Sequence, residues 1–590
     1  MSSAKAVAWA GAVALAVTIL VCGFVRWPVS PTLARAGLNA YSATEGGERW
    51  AAPDAVTFRA LPWPSLHFYN ARLDSGGPNL LYAPEARIDL SLGQLLRGQF
   101  IPARTTFVSP TITVDLDAPP FLLEGGIGHI LNVSRALAPL INVSLENGIV
   151  RIIDKRHDFD TVVEDVRGQI EGTGSAEGLR VNFSAVWRET PVTISGLLAN
   201  IGASRGAGSD LVLGLQSPVV DLAITGGLLL DNKPSLNGDV ALTIKSLAGL
   251  ARVTGLPRPA FWAADDIAVM GKIKASAGDL TLGDATITSA GQALQGALRI
   301  SRFQGRSVVS GTLDSGKLAL GPLIGSPQPW LNDEGGWSER RFAGSIPRDF
   351  DLDLRLSAGS LDFYGRPLSN AAASILLKGG EFTLSLIEAG AYGGRLEGEA
   401  RLSYPGEALV LRARAKLRDA DIGAALADLG VPVATGRGTV EVGLATSGTT
   451  AADAIAGLAG TASLAGQQGS ILGVNLEEAL RRSQRRPLDV SRAMRTGQTA
   501  FDRIGVSALI GGGVAHITRG NLAARGLTAD LAGAIDLPRQ TLDLRLDAMQ
   551  TDSSGEISKD AARLTLDIAG AWSALSVRES GPEEKAPAPQ

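Results

Sequence analysis

The sequence predicts a mainly β protein: an N-terminal transmembrane helix, then an elongated, repetitive antiparallel β-sheet, groove-like or taco-like, with a few short helices. Three observations carry that expectation. Residues 6–25 (AVAWAGAVALAVTILVCGFV) contain no charged side chain, and 20 residues at about 1.5 Å each cross a hydrocarbon core of roughly 30 Å. Beyond them, short segments alternate apolar and polar positions, the period of strands with one buried face. Glycine accounts for 71 of 590 residues while aromatics make up only 5%, so the apolar surface is built from Leu, Val, Ile and Ala on sheets that bend and turn often.

Taken in order, residues 1–5 form a cytoplasmic tail and residues 6–25 the span. Lys5 before an apolar run also fits a cleaved signal, but the run is longer than a signal core and no A-x-A-like site follows at residues 26–30. Cys22 follows Val21, where lipid attachment would want a small residue, so it reads as a cysteine of the helix. Lys5 on one side balances Arg26 and Arg35 on the other, leaving orientation undecided by charge. The absence of cysteine after Cys22 suits an oxidising compartment and places the C-terminal bulk in the periplasm.

Residues 26–324 and 350–578 are the two β-rich regions. In FDLDLRLS (350–357), Leu352, Leu354 and Leu356 share one face while Asp351, Asp353 and Arg355 share the other. The same split appears at Ile88, Leu90 and Leu92; Ile112, Val114 and Leu116; Val240, Leu242 and Ile244; Phe382, Leu384 and Leu386; Leu542, Leu544 and Leu546; and Leu564, Leu566 and Ile568. Each reads as an antiparallel strand with one wet face, because parallel strands buried on both faces are apolar throughout. Aligned on glycine, GGEFTLSL with GGRLEGEARL (from Gly379) repeats in GGVAHITRG with LTADLAGAIDL (from Gly512), as expected of units that pack mainly on their neighbours. Helical spacing occurs at 130–140, 245–255, 419–430, 450–460 and 474–495. Residues 325–349, rich in Gly, Pro and charge, read as a linker, and 579–590 as a disordered Pro/Glu tail.

Net charge of −4 excludes a polybasic nucleic-acid binder. Gly202-Ala-Ser204-Arg-Gly206 fits G-x-S-x-G, but a strand-like SDLVLGLQ follows where a nucleophile elbow needs a helix. Gly311 to Lys317 (GTLDSGK) approaches a P-loop, yet Leu318 stands where Ser or Thr would hold magnesium, so it reads as a hairpin turn. His67, His129, His157 and His516 lack metal-ligand spacing. The expectation is a non-enzyme with no cofactor and no metal. The one charged binding candidate is Arg481, Arg482, Arg485 and Arg486, with Arg492 and Arg495 nearby, beside the apolar Leu476 and Leu480. Such a cluster suits an anionic surface, or simply a solvated helical cap.

The stretch FRALPWPSLHFYNARL, with LLYAPEARIDLSLGQLLRGQFIPARTTFVSPTITVDLD after it, resembles the start of AsmA-family proteins. AYGGRLEGEARL (from Ala391), DADIGAALADLGVP (from Asp419), TGRGTVEVGLATSGTT (from Thr435) and LAGTASLAGQQGSILGVNLEEAL (from Leu458) resemble that family's C-terminal region, in the same order. The resemblance implies a single-pass inner-membrane protein of the Gram-negative envelope with its bulk in the periplasm. It implies a curved sheet whose apolar groove handles phospholipid between inner and outer membrane, alongside envelope protein partners. Leu352, Leu354, Leu356, Phe382, Leu384, Leu386, Leu542, Leu544 and Leu546 are then the candidate groove lining. Alternation alone also fits a closed sandwich or β-helix core, and an assembly factor for outer-membrane proteins that carries no lipid is the alternative function.

Overall fold

The computed structural model describes residues 9, 13, 14, 17, 18, 21–34, 49–51, 53–74, 80–97, 102–115, 142–154, 159–172, 178–200, 208–229, 235–255, 262–276, 278–303, 306–325, 330–342, 346, 348, 350–428, 430, 433–483, 497–552, 557, 561–572 and 574–579. Half of the 6–25 run, the predicted helix at 130–140, the G-x-S-x-G segment, Leu116, His129, His157, Arg485, Arg486, Arg492, Arg495 and nearly all of the C-terminal tail lie outside these. The run is helical at 9, 13, 14, 17, 18 and 21–24 and bends at Val25. Trp9, Val13, Val17, Val21 and Phe24 are exposed there, each about one turn from the next. Among the described residues no helix is long and apolar enough to cross a membrane.

The chain divides into two compact units, meeting in sequence at Arg302 and Phe303. The first holds β1 (Trp27–Val29), β2 (Arg49–Trp50), β3 (Ala55–Arg59), β4 (Ser65–Asp74), β5 (Leu80–Leu90), β6 (Pro102–Val108), β7 (Thr111–Asp115), β8 (Val143–Asp154), β9 (Phe159–Gly172), β10 (Leu179–Trp187), β11 (Thr190–Ala199), β12 (Ser209–Gln216), β13 (Val220–Leu229), β14 (Ser235–Ile244), β15 (Ile267–Ser276), β16 (Asp279–Ser289) and β17 (Gln292–Phe303). From β8 to β17 each strand pairs antiparallel with its sequence neighbour. The start is more tangled: β5 pairs with both β6 and β7, and β8 runs parallel to both. That crossing closes a core in which Phe68, Leu81, Ala83, Ile88, Phe107 and Val143 are fully buried. Helix α1 (Leu92–Leu95) is a single turn, so Leu92, expected on a strand, opens a helix instead. The strand ends at Leu90 because Ser91-Leu92-Gly93 turns the backbone. Helix α2 (Leu247–Thr254) falls where 245–255 was expected: the Ser246 hydroxyl accepts from the Gly249 amide at 2.9 Å, and Gly255 closes the helix with φ of +77°.

The second unit holds β18 (Arg306–Ala319), β19 (Phe350–Phe363), β20 (Arg366–Lys378), β21 (Glu381–Ala391), β22 (Gly394–Ser403), β23 (Leu409–Asp421), β24 (Arg437–Gly448), β25 (Ala459–Leu472), β26 (Gln498–Gly511), β27 (Val514–Ala524), β28 (Leu527–Asp536), β29 (Thr541–Gln550), β30 (Arg563–Ala571) and β31 (Ala574–Glu579). Residues 311–317 lie inside β18 and are not a hairpin turn. Thr312, Asp314 and Gly316 are exposed while Leu313 and Ser315 are buried, so the motif obeys the strand period. β18 runs parallel to β19, and the later strands pair antiparallel in sequence order to β31. A parallel pair needs a long crossover, and residues 320–349, with helix α3 (Gly321–Ile324), supply it. The segment expected as a linker is therefore a crossover within one unit. The expectation of antiparallel pairing throughout is corrected at β18 with β19 and at β8 with β6 and β7.

Candidate functional site

Register turns the alternation of single strands into rows that run across the second unit. One row passes from Gly311 through Leu354, Ile375, Leu384, Ala400 and Ala413, then Leu444, Gly460, Ile510, Ala515, Ile535, Leu542 and Gly570. Its neighbour on the same face passes from Leu313 through Leu356, Ala373, Leu386, Gly398 and Ala415, then Val442, Ala462, Ala508, Ile517, Gly533, Leu544 and Ile568. Both rows cross every strand from β18 to β30, and both contain only Leu, Ile, Val, Ala and Gly. Leu352 and Phe382 lie in a third row through Leu377, Leu402 and Leu411. Leu546 sits between Leu531 and Leu566 beside the second row. All nine candidate lining residues are thus brought to one face of one sheet.

Coverage of that face is uneven. From β19 to β25 no member of the two central rows is fully buried, and Leu384 is 37% exposed. Cover comes at the strand ends, from short helices. In α4 (Ile422–Asp428), Ile422 is 2% exposed and presses into the sheet where Gly438 and Gly466 stand opposite each other. A Cβ at Gly438 would lie 2.5 Å from Ile422 Cδ1, so that seat requires glycine. Helix α5 (Ala451–Ala456) takes the opposite strand ends, its Ala454 carbonyl accepting from the Thr446 hydroxyl. Residues 330–342 follow the same ends: Phe342 N donates to Thr449 O at 2.9 Å, Ala452 N to Ser338 O at 3.1 Å, and Trp337 Nε1 to Leu537 O at 2.7 Å. Trp337 also meets Trp572 edge-on at 6.5 Å. Helix α6 (Leu476–Ser483) seals the far part of the face, burying Leu476, Ala479 and Leu480 against Leu522, Leu564 and Leu566.

The other face of the sheet is wet and charged. Arg355, Ser374, Ser385, Glu399 and Arg414 follow one another in register. Glu399 pairs with Arg401 at 2.7 Å and Arg414 at 2.5 Å, and the hydrogen bonds from these guanidinium groups hold its carboxyl below the ordinary range. His516, exposed, belongs to this face opposite Leu509. In the arginine cluster only Arg481 can be placed fully: it is exposed and pairs with Glu478 at 2.9 Å. Arg482 is in α6. Sequence reading missed Ile375, Leu377, Ala400 and Ala413. In β20 the run NAAASILL blurs the period of two, and at Ala400 and Ala413 the inward side chain is a small alanine that marks the face weakly, so register reveals it.

Among the described residues no group of His, Cys, Asp and Glu is arranged to hold a metal ion. Fold and face together define the class of the second unit: a β-sheet with one charged face and one apolar face left largely uncovered from β19 to β25. The family model of AsmA, described as "AsmA family", matches residues 332–519, so the expected kinship holds for the stretch from the crossover to β27. No curated protein and no solved structure matches the chain.

Proposed function

We propose that the protein is a membrane-anchored envelope protein that handles phospholipid, holding acyl chains along the apolar rows of the second unit and serving their passage between inner and outer membrane. The observation that carries this reading is the pair of uninterrupted rows from Leu354 and Leu356 to Leu542 and Leu544, half-exposed across β19 to β25. A sixteen-carbon chain brought into water costs on the order of 13 kcal/mol at about 0.8 kcal/mol per methylene, so a carrier needs continuous apolar cover. Thirteen strands at about 4.8 Å give a row roughly 60 Å long, enough for several acyl chains end to end. The envelope setting follows from the AsmA kinship. The anchor follows from the uncharged 6–25 run and the exposed Trp9, Val13, Val17, Val21 and Phe24. Catalysis has no part in the proposal.

Mass spectrometry of lipid co-purified with the full chain in non-ionic detergent tests it. Stoichiometric phospholipid is the expected result. A lipid-free protein leaves the assembly-factor alternative.

A further inference from the structure

The first unit carries a charged cluster away from the apolar rows. In register, Thr57, His67 and Arg87 stand opposite one another on β3, β4 and β5, as do Arg59, Ser65 and Asp89. These residues share the face opposite the Phe68 and Phe107 core. Ser65 and His67 are fully buried and form a floor: His67 Nδ1 donates to Glu85 Oε1 at 2.8 Å, and Ser65 Oγ lies 3.2 Å from Nε2. Three guanidinium groups surround it. Arg26 donates to the Tyr69 hydroxyl, Arg87 lies beside His67, and Arg59 makes no ion pair among the described residues.

Among the described residues, Thr57 Oγ1, Arg59 Nε and Arg87 Nε are buried with no hydrogen-bond partner, although Arg87 reaches Asp89 at 3.4 Å. Buried donors without acceptors are rare because each forfeits its hydration. Here they gather on one face, where Arg26, Arg59 and Arg87 outnumber Glu85 and Asp89. Position adds a second argument. The Gly23 carbonyl accepts from the Leu61 amide at 2.8 Å, and a Cβ at Gly23 would lie 2.4 Å from Leu61 Cδ1. The end of the apolar run is thereby held against the β3–β4 turn, three residues before Arg26. With the run in a bilayer, this face lies at headgroup level.

We infer that the face formed by Arg26, Arg59 and Arg87 binds the phosphate of an anionic lipid headgroup, where the lipid meets the protein. Guanidinium forks match phosphate oxygens in geometry and charge. Tyr69 and Thr57 bring hydroxyls to the same place. The inference rests on the membrane-anchored, lipid-handling reading, and free phosphate shares the chemistry.

Isothermal titration of the full chain in non-ionic detergent separates these sources, with glycerophosphoglycerol and inorganic phosphate as probes. Glycerophosphoglycerol should bind more tightly, and Arg59→Gln with Arg87→Gln should weaken it by about tenfold or more. Arg59→Lys with Arg87→Lys should retain part of the binding. If the double Gln variant does not fold, Arg59→Gln alone carries the comparison. Unchanged titration in a folded Gln variant, or tighter binding of inorganic phosphate, overturns the inference. Absence of co-purified lipid with intact headgroup binding overturns the lipid-path reading and leaves this site standing.

Discussion

The sub-sheet β3 to β8 and the sheet β19 to β25 obey the same alternation and finish in opposite states. In the first, Phe68, Ala83 and Phe107 are sealed. In the second, Leu354, Leu356, Leu384 and Leu386 stay partly exposed. Topology makes the difference. β5 serves both β6 and β7 and β8 returns parallel to both, and the Phe68 and Phe107 core lies there. β19 to β25 meet only their sequence neighbours, and helices reach only their ends. Alternation fixes which side is apolar; crossing connections decide whether that side is covered.

The largest effect should come from the sealed region. Phe107→Ala should lower stability by about 3–5 kcal/mol, because the ring fills a closed core, and a melt resolved by unit should show the loss in the first. A small shift would mean that this core is as open as the other face. Next comes one charge placed in two settings. Leu564→Asp, beneath α6, should lower stability by several kcal/mol, whereas Leu384→Asp should change it by about 1 kcal/mol or less, since its carboxylate keeps contact with water. Leu384→Asp should instead reduce co-purified lipid. Equal collapse of both melting temperatures would make the face between β19 and β25 a closed core.

The smallest effect is the dependence on pH of the charged face in the first unit. Burial holds the His67 imidazole below its ordinary value; the hydrogen bond to Glu85 opposes this, and Arg26 and Arg59 reinforce it. On acidification the unfolded chain then takes up its proton near the ordinary imidazole value of 6.5, before the folded chain does. The stability contributed by the neutral imidazole is complete above that pH and declines as pH falls through the lower folded value. Melting temperature should fall on acidification from about pH 7, and less so in His67→Gln. Identical slopes in both proteins would remove His67 as the cause.

Much of the fold was legible in the sequence. Leu352, Leu354 and Leu356 announce their face because Asp and Arg alternate with them, and Ser246 and Thr450 announce helix starts by their cap chemistry. Leu92 misled because periodicity says nothing of where a strand stops. GTLDSGK misled because glycine and aspartate occur on the exposed side of a strand as well as in turns. The crossover at 320–349 has turn-like composition and no period, so it could not be told from a linker before β18 was seen beside β19. The Arg26, Arg59 and Arg87 face was invisible for a different reason: no two of its members are near in sequence, and only β pairing assembles them.

The rows have one further property. From β19 onward each is built by strands that turn back on themselves, so a hairpin removed or added leaves every remaining residue on its original side. Such a sheet can be lengthened or shortened in steps of two strands, about 9.6 Å, with the apolar stripe uninterrupted. A single residue lost within a strand would turn the remainder of that strand inside out. The architecture is a ruler graduated in hairpins, tolerant of whole divisions and intolerant of fractions.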